Sequence, residues 1–170
     1  MSRVSPLEPP DSHCLSAAIG WLGLGDRTEA RAELAAISAA NRQHPAVLEA
    51  RWMICAGDES WDDALAAARE ILARTPDQPD GWLHCAYALR RAEQGGLKAA
   101  WGLLRPAAEK FPQEPVIAYN LACYACQLHD LAEAREWLKR ACAIHGAQPI
   151  KEMALADADL KSLWDEIQKL

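Results

Sequence analysis

The stretch YNLACYACQLHDLAEAREWLKRA, residues 119–141, decides the fold of this chain. With Ala118 just before it, Leu121, Ala122 and Ala125 stand three, four and seven places on, which puts the set on one helical face. After the polar break at His129 and Asp130, the small residue Ala134 is followed by Leu138 and Ala141 at four and seven places. Two short amphipathic helices joined by a turn satisfy both patterns. Neither buries its stripe alone.

Working outward, the same second-helix pattern recurs. Ala30, Ala64, Ala100 and Ala134 are separated by 34, 36 and 34 residues. Four places on come Leu34, Ala68, Leu104 and Leu138, and seven places on come Ile37, Ile71, Ala107 and Ala141. Pro45, Pro76, Pro112 and Gly146 follow these helices as breakers. Turns and capping residues precede them: GDRTEA at 25–30, GDESWDDA at 57–64, GGLKAA at 95–100 and HDLAEA at 129–134. Helix starts, helix stops and apolar spacing agree with one another.

These residues resemble the tetratricopeptide repeat, written W-x₂-L-G-x₂-Y…A-x₃-F…P. Trp82, Cys85, Ala86 and Leu89 fill the first-helix slots of the third unit, with Ala100, Leu104 and Pro112 in its second half. The fourth unit runs through the pattern without a gap. The second unit departs from it, carrying Arg51 and Trp52 where a large apolar and a small residue belong, so a register shift is expected in its first helix. The first unit keeps Trp21, Gly25 and Ala30 as markers, with three extra residues before Pro45. The resemblance implies an all-α, right-handed α-solenoid of about four helix pairs over residues 11–146. Residues 147–170, with Leu160, Leu163, Trp164 and Ile167 at helical offsets, are expected to cap the open end. Residues 1–10, with Pro6, Pro9 and Pro10, are expected to be mobile. Pro106, inside the second helix of the third unit, predicts a kink between Gly102 and Pro106.

Composition bounds the function. The formal net charge is −6 and the basic clusters stop at pairs, Arg90-Arg91 and Lys139-Arg140, which argues against a phosphate-tracking surface and hence against nucleic acid. No apolar run is long enough to span a membrane and no export signal is evident, so a cytoplasmic protein is expected. In that compartment the six cysteines read as small buried hydrophobes.

By the resemblance, the first helix of each pair lines a groove that holds a peptide or protein segment. His84, Tyr87 and Arg91 in the third unit and Tyr119, Asn120 and Cys123 in the fourth are the candidate ligand-binding residues. Tyr offers apolar area with a polar tip, Asn pairs with peptide groups, and His84 and Arg91 suit a carboxylate. The family's carboxylate clamp is missing, because Leu15, Ile19 and Val116 hold its slots. Cys123, Cys126 and His129 are spaced for metal or thiol chemistry, but they fall in the repeat's own frame and away from a helix N-terminus. Phosphate loops, HExxH and GxSxG are absent. The expectation is a non-enzymatic scaffold or adaptor without a cofactor, its partner unidentified and self-association open. A chaperone that shields an apolar client is the alternative, and a thiol or metal protein the third reading.

Overall fold

The computed structural model describes residues 5–169. The described residues form helices joined by turns, with no strand among them. The chain divides into two compact units between Ala88 and Leu89.

In the first unit, α1 (Asp11–Gly23) packs on α2 (Arg27–Ala36), and α3 (Pro45–Gly57) on α4 (Trp61–Arg74). Helix α5 (Pro79–Leu89) follows. Asp26 caps α2 by accepting from the Glu29 N–H at 3.1 Å. Pro45 opens α3 rather than ending α2, since a helix start needs no N–H there. The irregular link before it is tied down by Asp11, whose carboxylate accepts from the Ser38 N–H at 3.0 Å, the Ser38 hydroxyl and Asn41 Nδ2 at 2.7 Å. These donors hold the Asp11 carboxyl below its usual range, the Ser38 hydroxyl foremost. Within the proline-rich start, the Ser5 carbonyl meets His44 Nε2 at 2.9 Å, while residues 1–4 lie outside the described residues.

Helix α3 shows why the sequence reads awkwardly there. It buries Val47, Leu48, Ala50 and Ile54, mostly one residue before the repeat's own slots, and leaves Arg51 and Trp52 half-buried. Farther on, Gly81 sits so close to the Leu72 backbone that a Cβ would fall 2.8 Å from its Cα. Only glycine allows that approach.

In the second unit, α6 (Leu97–Leu104) and α7 (Ala107–Lys110) replace one continuous helix. Proline at 106 cannot donate a backbone hydrogen bond, so the helical ladder is interrupted at Arg105-Pro106, while both residues keep right-handed helical dihedrals. The two extra residues of this repeat are absorbed by the turn before α6. There a Cβ on Gly95 would lie 1.9 Å from the Leu89 carbonyl oxygen, and Gly96 takes φ +115° while donating to that same oxygen. Helix α8 (Pro115–Gln127) packs along α9 (Leu131–His145), which is capped by Asp130 on the Glu133 N–H at 3.0 Å. Helix α10 (Ala147–Ala156) then packs on α9, a 3₁₀ turn (Ala158–Leu163) returns to α8, and the short α11 (Trp164–Ile167) follows.

The small-residue frame holds throughout. Ala30, Ala64, Ala100 and Ala134 are each 0% exposed, as close helix crossing requires.

Candidate functional site

Two clusters form, one in each unit. In the first unit three outward-facing apolar side chains lie on the first helices of successive repeats, Ile19 on α1, Met53 on α3 and Tyr87 on α5, and a fourth, Leu24, lies in the turn after α1. The first three are 34 residues apart in both steps, so they occupy one repeat position, and they are 51, 44 and 40% exposed. Apolar side chains this open at a repeated position are more informative than a buried core residue.

The two expected residues of this unit, His84 and Tyr87, are brought together by a third. The Trp52 indole stacks on the His84 ring with centroids 3.8 Å apart and planes 16° apart, and meets Tyr87 edge-on at 6.2 Å. Trp61 approaches the other side of Tyr87 at 5.8 Å. His84 Nε2 lies 2.6 Å from Glu49 Oε1, so the ring is fixed both by its partner tryptophan and by a carboxylate. The position that broke the repeat pattern, Trp52, is thus the centre of an aromatic cluster linking α3 and α5. Nothing in the sequence near Met53 or Glu49 announces their place beside this cluster, and at Trp52 the one visible signal is its mismatch with the repeat pattern.

In the second unit the expected residues meet the chain's own C-terminal segment. Tyr119 and Cys123 of α8 are 6% and 2% exposed. The Tyr119 hydroxyl donates to Asp157 Oδ2 at 3.0 Å, and the Cys123 thiol approaches the same oxygen at 3.5 Å. Arg90, just past α5, grips the Asp159 carboxylate with both terminal nitrogens, Nη2 to Oδ1 being 2.8 Å. Its guanidinium also lies over the Tyr124 ring, 5.6 Å from the centroid. Gln127 Nε2 donates to the Asp159 carbonyl at 2.8 Å, and the Cys126 thiol is bonded to Ser162. Asn120 turns back to its own helix, donating to the Val116 carbonyl at 2.9 Å. Arg91 is exposed, and its charge acts on the Tyr124 phenol. Asp157 caps the 3₁₀ turn, accepting from the Asp159 N–H at 2.9 Å. Its other oxygen does the docking.

Burial governs the chemistry of these groups. It pushes the Cys123 thiol and the Tyr119 phenol well above their usual values, with Asp157 adding in the same direction. Burial likewise raises Tyr124 to about 12 and Cys85 to about 11. Thiols held protonated in this way are poor nucleophiles and poor metal ligands. Cys123, Asp157 and Asp159 do bring three ligand atoms within 4.8 Å of one another. The carboxylates, however, are already engaged, Asp157 by the Tyr119 hydroxyl and the Cys123 thiol and Asp159 by the Arg90 cation, a surrounding that opposes a second positive charge. Cys123, Cys126 and His129 do not gather into a ligand set among the described residues. His129 sits in the turn after α8 with φ +66°. No helix among the described residues is long and apolar enough to cross a membrane.

No protein-family model matches the chain, and no curated protein matches it in sequence. Among solved structures it is similar to the crystal structure of a thermophilic tetratricopeptide-repeat protein from Thermus thermophilus. The TM-score is 0.68 at 19% identity, covering 94% of this chain and 100% of the other. An identity that low speaks to fold alone. The fold is all-α and of the tetratricopeptide-repeat kind, as the resemblance implied.

Proposed function

We propose that this protein is a non-enzymatic interaction scaffold that holds a polypeptide segment on the first-helix face of its first unit. The observation that carries the reading is the open row Ile19, Met53 and Tyr87, beside the Trp52–His84 stack. A segment laid across it would bury apolar surface at roughly 25 cal/mol per Å² while meeting side chains already fixed in place, so little ordering is required of the receptor. Glu49 and the exposed Asp80 give that face a negative edge, which favours a partner that places lysine or arginine beside its apolar residues. His84 and Tyr87 are the expected contact residues here, with Trp52 and Met53 added to them.

The test is a peptide-display selection on the full chain, counter-selected on an Ile19→Ser/Met53→Ser/Tyr87→Ser variant. Enriched peptides should combine two or three large apolar residues with at least one basic one, and should bind the wild type in solution. Recovery of the same peptides from the variant, with its helical circular dichroism intact, would overturn the reading.

A further inference from the structure

We propose that the first-helix face of the second unit is a recognition site for an acidic segment of the pattern Asp-x-Asp-Leu-x-x-Leu, and that residues 157–163 are its built-in occupant. The starting point is a coincidence of residues. Arg90 stands just past α5, and Tyr119, Cys123, Cys126 and Gln127 stand on α8. All five are bonded to, or within bonding distance of, the stretch from Asp157 to Ser162. The contacts are those of ligand recognition. A bidentate arginine reads one carboxylate, a phenol and a thiol read the other, and an amide side chain reads a main-chain carbonyl. Leu160 and Leu163, 0% and 1% exposed, supply the apolar anchors. Arg90 is held over Tyr124, and the Asp159 carboxylate raises its already high pKa further, so its charge is permanent.

The geometry also explains how the occupant could leave. Its hold is a 3₁₀ turn of six residues followed by a four-residue α11. Both are short elements with few internal hydrogen bonds, unlike the thirteen-residue α8 on which the 3₁₀ turn packs. A competing segment with the same two carboxylates and two leucines gains every contact the tail gives up. Binding is then limited by the fraction of molecules in which the tail is open.

The experiment uses the full chain and a fluorescein-labelled peptide of residues 156–167, ADADLKSLWDEI, followed by anisotropy. An Asp157→Ala/Asp159→Ala chain weakens the tail without touching the receptor side, and it should bind the peptide at least about tenfold more tightly than wild type. A peptide with both aspartates changed to asparagine should lose that gain. Adding Arg90→Ala to the double variant should lose it too. Failure of the folded double variant to bind the peptide, or binding unaffected by Arg90→Ala, overturns the proposal. Should the double variant not fold, hydrogen exchange on the wild type decides. Tail amides at 158–167 that open well before those of α9 uphold the proposal. Tail amides that open only with the whole unit make the tail a permanent cap and overturn it.

Discussion

The first helices of the two units display the same repeat position in contrasting states. In the first unit that position holds Ile19, Met53 and Tyr87, all open, and in the second it holds Cys123, 2% exposed beneath Asp157. The repeat frame determines which way each side chain points. It does not determine whether anything lies on top. In the second unit that property belongs to a segment outside the repeat, whose aspartates meet side chains of α8 and its neighbour Arg90. A repeat array can thus offer several equivalent rows of side chains and have one of them filled from within.

The comparison breaks most sharply at the leucines of the tail. Leu163 is 1% exposed, so Leu163→Ala should lower stability by about 2–5 kcal/mol, the range for truncating a buried leucine. Chemical denaturation of the full chain, followed by helical circular dichroism, measures it. A loss below about 0.5 kcal/mol, the size expected of a surface change, would mean that the tail is not seated in solution.

That contrast also shows where the sequence could be read and where it could not. Ala30, Ala64, Ala100 and Ala134 were legible because close helix crossing imposes a local rule, a small side chain at a fixed spacing, and each is fully buried. The break between α6 and α7 is local in the same way, since the N–H that Pro106 lacks acts within one turn. The seat of the tail was not. Arg90 and Asp159 lie 69 residues apart, and nothing near either one in the chain announces the other. Asp157 even satisfied a local rule as a helix cap, which concealed its second role toward Tyr119. Trp52 falls between these cases: the repeat pattern marked it as wrong for its slot, but only the placement of α5 supplies its partner, His84.

A smaller effect sharpens the second-unit half. Tyr119→Phe keeps the ring and deletes one hydroxyl, leaving Asp157 Oδ2 with only the distant Cys123 thiol. The loss should be about 1 kcal/mol, the net value of one such hydrogen bond. Paired with Asp157→Ala in a double-mutant cycle, the two changes should be non-additive, because they remove the same contact. Additive losses would place the Tyr119 hydroxyl elsewhere than on Asp157.

The smallest expected effect tests the open half. Met53 is 44% exposed, so Met53→Ser should alter stability by no more than about 0.5 kcal/mol. Its consequence should appear only when a segment is bound. If the side chain is part of a contact face, the variant weakens binding of the selected peptides while its unfolding midpoint stays put. A Met53→Ser chain that unfolds markedly earlier would show that the methionine supports α3 rather than receiving a partner. The open row would then shrink to Ile19 and Tyr87, too far apart in the repeat to act as one surface without the residue between them.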